Sequence, residues 1–216
     1  MQPYVHAQAS ARQSGQDWHD DLPIHEFMDL AKHACPDLRH RLLLHNSDLG
    51  PELAAMAFSS RSDARKVALL HVQQDLGWCP PLEAWLQNVD PNRLPRSRKN
   101  AQPAAEIIRT AADYYMLAAS EPVQMVWDML MLPIQFAPQY AQTAAMLFMN
   151  SVGPILARAI FGPPRYFPRR DGQETIVDFS WVAEGMIVAH VGTMYSLERV
   201  LQGFDGLEPK PTGVDG

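Results

Sequence analysis

The chain has 216 residues, of which 47% are hydrophobic and 19% are charged, and its net charge is −6. This composition is typical of a folded globular protein and excludes an intrinsically disordered one. The negative charge argues against general nucleic-acid binding, which needs a basic surface. Two cysteines are too few for a disulfide framework, and the polar N-terminus lacks a secretory signal, so we expect free thiols and a cytoplasmic protein.

The first half of the sequence predicts short helices separated by proline, glycine and polar residues. We expect an irregular arm over residues 1–21, followed by helices at about 22–35, 36–46, 52–58, 64–76 and 81–86. Gly77 is typical of the left-handed residue that ends a helix. Residues 88–100 contain two prolines and four basic residues and predict a linker. The sequence therefore predicts a first domain over residues 1–90.

The second half predicts further helices and one β-hairpin. Helical patterns cover residues 104–120, 122–160 and 180–201. Two strand-like runs flank Asp171-Gly172, which predicts a hairpin near residues 165–179. A second domain over residues 101–205 follows from this reading. The predicted fold class is mostly α, a helical bundle with one small hairpin.

Residues 129–157 contain no charged residue and no histidine. A membrane-spanning helix needs about 20 mainly apolar residues, but Pro133, Pro138 and Pro154 divide this stretch into pieces. We therefore expect a buried or subunit-facing helical layer rather than a membrane span. Because a surface this apolar usually finds a partner, the second half is predicted to form a homo-oligomer.

Histidine is concentrated at the other end of the chain. Seven of the eight histidines lie at positions 6, 19, 25, 33, 40, 45 and 71. Imidazole is the commonest metal ligand in proteins and a frequent proton carrier at neutral pH. We expect His19 and His33 on the surface, and His6 can be a ligand only if the arm folds back. The first domain is therefore the predicted location of a metal site.

Two pairs, His25 with Asp29 and His71 with Asp75, have a spacing of four residues that places both members on one helix face. Histidine and carboxylate side chains from separate helices can converge in a bundle to bind a metal ion. The predicted ligands are His25, His40, His45, His71 and Asp75. The predicted cofactor is a divalent transition metal ion, with zinc first and manganese or iron as alternatives.

An open coordination position would lower the pKa of a bound water to about 7 and make it a nucleophile. Asp29 or Asp37 would orient a ligand or act as the base, and Arg39 or Arg41 would hold an anionic group of the substrate. The leading hypothesis is a metal-dependent hydrolase acting on a small anionic, for example phosphorylated, substrate. The alternative is a non-enzymatic, homo-oligomeric interaction protein related to phage, whose histidines or metal ion would be structural.

Several motifs together resemble a family of small, uncharacterised proteins from bacteria and their phages. These motifs are Leu22-Pro23-Ile24-His25, Asp37-Leu38-Arg39-His40-Arg41, His45-Asn46 and His71 followed by Asp75-Leu76-Gly77. The resemblance covers about residues 4–87, includes a histidine where His6 stands, and implies that these residues form one unit. The order of the histidines also resembles HD-type metal phosphohydrolases, although His45-Asn46 stands where that family has adjacent His and Asp.

Overall fold

The computed structural model of the protein describes residues 2–15, 17–36, 38–87, 89–96 and 102–204. In these ranges the chain forms twelve α-helices, three short 3-10 helices and one antiparallel hairpin, which confirms the predicted mostly α fold. The α-helices are α1 (Pro3–Ser14), α2 (Trp18–Met28), α3 (Arg41–Leu44), α4 (Leu49–Ala57), α5 (Ala64–Leu76), α6 (Leu82–Leu86), α7 (Ala104–Tyr114), α8 (Glu121–Phe136), α9 (Ala141–Met146), α10 (Val152–Phe161), α11 (Phe179–Val191) and α12 (Leu197–Leu201). The 3-10 helices are Leu30–His33, Leu38–His40 and Pro138–Tyr140.

The β-hairpin lies where the sequence predicts it. Strand β1 (Arg165–Pro168) pairs with β2 (Glu174–Val177) in antiparallel register, with Arg165 opposite Val177. Gly172 adopts a φ of 81° in the connecting turn, a conformation that favours glycine.

The prediction of an irregular arm is wrong, because residues 3–14 form helix α1. Pro3 stands in the first turn, where its missing N–H costs nothing, and Gly15 ends the helix with a φ of 74°. The residues that α1 buries are His6, Ala7 and Ser10. This buried face is largely polar, so a search for apolar periodicity does not find it.

Several other predicted helices differ from the structure in their bounds, and three of them differ most clearly. Helix α2 begins four residues earlier than expected, at Trp18, where the Asp17 carboxylate accepts a hydrogen bond from the His19 N–H. It ends at Met28, and the chain continues as a 3-10 turn. The expected helix at 36–46 is likewise a 3-10 turn followed by α3. The expected last helix is divided into α11 and α12 by Gly192, which has a φ of 96°.

Much of the uncharged stretch 129–157 lies in the core of the protein. Met129, Phe148 and Leu156 are fully buried in one cluster with residues of the first half, whereas Phe136 and Ile155 are exposed. Helix α4 packs against α8 and α10. The homo-oligomer and the two-domain division both stay predictions. Within the described ranges, no helix has the length and apolar character needed to cross a bilayer.

Part of the predicted linker, residues 88 and 97–100, lies outside the described residues, as does Asp37. The two cysteines are free, with Cys35 buried and Cys79 partly buried, as the sequence predicts. His19 and His33 are exposed, which confirms their expected position on the surface.

Candidate metal centre

Four side chains from three different segments of the first half converge on one point. They are Asp29, His45, His71 and Asp75, and each offers a ligand atom within 4.8 Å of the other three. The Nε2 atoms of His45 and His71 lie 3.0 Å apart, and Asp75 Oδ2 lies 3.2 Å from His45 Nε2. Asp29 Oδ1 is 3.9 Å from both Nε2 atoms.

These distances fit a single bound metal ion. Two donor atoms that each lie about 2.1 Å from a metal ion are about 3.0 to 3.4 Å apart at neighbouring coordination positions. The His45–His71 and His45–Asp75 separations fall in or near this range, while Asp29 is held slightly further out. The set of imidazole and carboxylate donors suits zinc, iron or manganese. The group could therefore hold a divalent metal ion.

Helix α5 supplies two of the four donors because its sequence places His71 and Asp75 one turn apart on the buried face. Helix α2 carries His25 on its inner side and is followed directly by Asp29, whose N–H donates to the His25 carbonyl oxygen. Helices α2 and α5 pack directly against each other. The structure thus places the two sequence pairs next to each other.

His45 reaches the centre from the end of α3, and the residues after it fix its position. The buried Asn46 side chain donates to the Leu42 carbonyl oxygen and accepts from the N–H groups of Asp48 and Leu49, which caps the start of α4. A Cβ atom on Gly50 would clash with the Leu44 carbonyl oxygen, so only glycine permits this close approach. Asn46 therefore has a structural role in this turn.

His25 lies behind the group rather than in it. Its Nδ1 is 2.9 Å from His71 Nδ1, and its Nε2 is 3.1 Å from Ser10 Oγ. If His71 donates from Nδ1, its Nε2 keeps a lone pair directed at the convergence point, as a ligand requires. This geometry assigns His25 to the orientation of His71, where the sequence predicts a direct ligand.

The remaining predicted site residues are divided between the group and its surroundings. Arg41 lies against it, with Nη2 3.2 Å from Asp75 Oδ2. The His40 ring is buried and packs edge-on against the His45 ring, with centroids 5.8 Å apart. Arg39 donates to the Leu201 carbonyl oxygen, a contact with the second half of the chain. Asp37 lies outside the described residues.

The surroundings favour the neutral form of His25 and His71 and the charged form of Asp75. Burial, with the neighbouring histidines His45, His6 and His25, lowers the pKa of His71 far below its usual range. Burial lowers the pKa of His25 to about 4, with a contribution from His6. Burial raises the pKa of Asp75, but contacts with His45, His6 and Arg41 outweigh this effect and lower it overall. Neutral imidazole and ionised carboxylate are the forms that bind metal ions.

Sequence reasoning missed Ser10 and Gln74 at this site and named His6 only on the condition that the arm folds back. Helix α1 folds back, so that His6 Nε2 lies 3.1 Å from Asp75 Oδ1, and Ser10 contacts His25. Gln74 on α5 contacts both His6 and Ser10. Its Oε1 lies 2.7 Å from His6 Nδ1, and its Nε2 lies 3.3 Å from Ser10 Oγ. The sequence did contain a signal. His6 and Ser10 are four residues apart, and they lie in a segment that starts with a proline and ends with a glycine, as helices often do.

Residues 1–94 match the model of a family described as a domain of unknown function, DUF6915. This match supports the predicted resemblance of the first half to an uncharacterised family, and it includes every residue of the convergent group. No curated protein and no solved structure matches the chain. The similarity to HD-type phosphohydrolases stays a prediction.

Proposed function

We propose that the protein is a metal-dependent hydrolase that acts on a small anionic substrate. The observation that supports this proposal is the convergence of two imidazole nitrogens and two carboxylates within 4.8 Å of one another. Neither cysteine belongs to the group, and mixed nitrogen and oxygen donors are found in many hydrolytic sites. A bound divalent ion would supply Lewis acidity and would lower the pKa of a coordinated water to about 7.

Asp29 is the residue best suited to act as the base. Its Oδ1 lies 3.9 Å from the Nε2 atoms of both His45 and His71, and its buried Oδ2 has no hydrogen-bond partner within the described part of the chain. A carboxylate oxygen held in this way can accept a proton from the attacking water. Asp75, which contacts both His45 and Arg41, is held more tightly and serves as a ligand.

Arg41 would recognise the anionic group of the substrate. Its side chain is 15% exposed, compared with 8% for Asp29 and 0% for His45, so this side of the centre is closest to solvent. Two carboxylates, one guanidinium and a divalent cation leave one net positive charge here, which favours an anion. A guanidinium also has the planar geometry that phosphate and carboxylate groups bind. Because the four donor side chains are at most 8% exposed, the proposal is restricted to small substrates.

Elemental analysis and an activity screen test this proposal. Untagged protein, freed of metal and reconstituted with zinc or manganese, should bind about one equivalent per chain and hydrolyse a small phosphomonoester or carboxylate ester. The H71Q variant should lose both metal and activity, because it removes a central ligand. The D29N variant should retain metal but lose activity by about 100-fold, the usual effect of removing a general base.

The matched control is H33Q, which changes an exposed histidine of the same half and should behave as the wild type. Full activity of metal-loaded D29N would refute the role of Asp29 as base. A wild-type protein that takes up no metal would refute the hydrolase proposal altogether.

A second candidate is a homo-oligomeric interaction protein with a purely structural metal ion. Two observations favour it. His25, His45 and His71 are fully buried, as in closed structural sites, and the aromatic side chains of Tyr114 and Trp181 are 81% and 69% exposed along a groove of about 570 Å³ between α7 and α11. Exposed tyrosine and tryptophan are enriched at protein interfaces. This candidate predicts that a second copy of the chain covers the groove.

Light scattering distinguishes this candidate from a monomeric enzyme. A dimer that dissociates in the W181A variant, with metal content unchanged, would support it. A monodisperse wild-type monomer at micromolar concentration would exclude it.

A further inference from the structure

A groove on the second half of the chain is lined by one face of each of two helices. Its lining includes Ile107, Ala111 and Tyr114 on α7 and Trp181, Gly185 and Val188 on α11. Residues four and seven positions apart lie on one helix face, so each set forms a stripe along its helix. Helices α7 and α11 pack against each other and leave a cavity of about 570 Å³ between these stripes.

Three aromatic side chains lie toward one end of this groove. Tyr114 ends α7 and Tyr115 follows it, and their ring planes meet at 86° with centroids 5.0 Å apart, so the two rings face different directions. Burial raises the pKa of Tyr115, with smaller contributions from Tyr114 and from Asp178, the residue that caps the start of α11. The start of α11 therefore lies beside the end of α7. Trp181 is one helical turn further along α11, so aromatic walls come from both helices.

The charge of the groove is negative. Glu184 lies one turn after Trp181 on the same face of α11, and it is the one charged residue among the described residues that line the groove. Tyr114 and Trp181 are largely exposed, so the protein itself leaves these rings uncovered. Aromatic faces and a carboxylate both attract a cation.

Gly185 keeps the middle of the groove open. Glycine destabilises the interior of a helix relative to alanine. A Cβ atom at this position would meet no neighbouring atom of the described chain within 4 Å, so packing inside the protein does not require glycine. The missing side chain instead leaves room in the groove for a ligand.

The polar groups of the lining favour a cation that has no hydrogen-bond donors. Besides Glu184, the lining residues offer only the hydroxyl groups of Thr110 and the two tyrosines. A lysine ammonium is strongly hydrated, and a guanidinium carries five N–H groups that need acceptors. A quaternary ammonium has no N–H group, its methyl groups suit an apolar surface, and aromatic faces bind this kind of cation.

We propose that this groove binds a small trimethylammonium compound, with the cation held by the faces of Trp181 and the two tyrosines and by the charge of Glu184. The compound carries no anionic group, because the described lining offers no basic residue to balance one. A symmetric dimer through the same groove would bury Glu184 of both copies in one apolar interface, so the charge favours the cation over a second copy. The inference is independent of the proposed metal-dependent hydrolase.

An NMR titration of the full-length chain with choline tests the inference. The indole N–H resonance of Trp181, assigned by its loss in the W181F variant, should shift as choline is added. The neutral control is dimethylbutanol, in which a carbon atom replaces the nitrogen of choline and the shape is kept. We expect it to bind about five- to thirtyfold more weakly, the range that cation–π contacts contribute. Phosphocholine should also bind more weakly than choline.

Variants identify the groups that hold the cation. W181A and E184Q should each weaken choline binding by at least about fivefold. Their matched controls are Y166A, an exposed tyrosine of β1, and E198Q, an exposed glutamate of α12, and both should bind choline as the wild type does. G185A should weaken choline binding without loss of stability in urea, because its methyl group enters the groove and favours the helix. This variant keeps the test decisive if W181A is poorly folded.

The opposite results would overturn the inference. They are equal binding of choline and dimethylbutanol, or full choline binding by both E184Q and G185A. A wild-type dimer that W181A dissociates, with no response of Trp181 to choline, would show that a second copy occupies the groove. Tighter binding of phosphocholine, or sedimentation with phosphatidylcholine vesicles, would assign the groove to a lipid headgroup instead of a small solute. Metal uptake affects none of these results, so the hydrolase proposal stands or fails separately.

Discussion

Acidification of the metal-free protein should unfold it through the buried histidines. His25 and His71 are fully buried, and burial lowers the pKa of each in the folded state. In the unfolded chain both imidazoles have a pKa near 6.5. Below this pH the unfolded state binds protons that the folded state refuses, so the free energy of unfolding falls as the pH falls. The stability that these groups contribute is complete above pH 6.5 and is lost on acidification.

The magnitude follows from the pKa difference. For His25, the pKa falls from 6.5 in the unfolded chain to about 4 in the folded state. Between these two values the free energy of unfolding decreases by about 1.4 kcal/mol per pH unit, or about 3 kcal/mol over the whole interval. His71 has a lower pKa still and adds an equal slope. The two together should remove about 3 kcal/mol of stability between pH 6 and pH 5, a large fraction of the stability of a typical domain.

Urea unfolding in the presence of a chelator, at pH 7.5, 6.0 and 5.0, measures this slope. The H71Q variant should lose about 1.4 kcal/mol per pH unit of the wild-type dependence, because one buried imidazole has been removed. H33Q, which changes an exposed histidine, should keep the full dependence. Equal slopes for wild type and H71Q would refute the conclusion that His71 is held neutral by burial.

Three further substitutions test the framework around the centre. The G50A variant places a methyl group against the Leu44 carbonyl oxygen. We therefore expect the free energy of unfolding in urea to fall by at least about 2 kcal/mol and zinc binding to weaken. Unchanged values would show that α4 can shift without cost. R61A leaves the buried carboxylate of Asp21 without its ion-pair partner and should cost about 3 kcal/mol, whereas a loss below about 1 kcal/mol would contradict a buried ion pair. N46A removes the side chain that caps α4. It should lower the melting temperature by several degrees and the free energy of unfolding by about 2 kcal/mol. A stable variant with normal zinc affinity would show that another group holds His45.

Local sequence signals predicted the elements whose side chains alternate between core and solvent in a regular way. Helix α5 has the bounds expected from its pattern and from Gly77, which adopts the left-handed conformation with a φ of 77°. The hairpin was similarly marked by its turn residues. The pair His71 and Asp75 was identified because a helical spacing of four requires no knowledge of the rest of the fold.

The contacts that complete the centre could not be predicted in this way. His45 stands at the end of α3, with a backbone conformation outside the helical region, so helical spacing says nothing about its direction. His6 and Asp75 are 69 residues apart in the sequence, and only the packing of α1 against α2 and α5 brings them together. The distinction between a ligand and a supporting residue, as for His25, depends on which nitrogen faces which neighbour.

The missed helix and the predicted metal centre have a common physical cause. Helix α1 buries polar atoms, and such a helix gains little from the hydrophobic effect, which stabilises most helices in proteins. Its position is instead specified by the hydrogen bonds of Ser10 and Gln74 and by the approach of His6 to Asp75. Buried polar groups stabilise a fold only when each has a partner, and the His6 Nε2 and Asp29 Oδ2 atoms lack one within the described residues. A metal ion held by the four donors would fix Asp75, the residue that His6 on α1 contacts, so the site and the helix that covers it would be joined through this carboxylate.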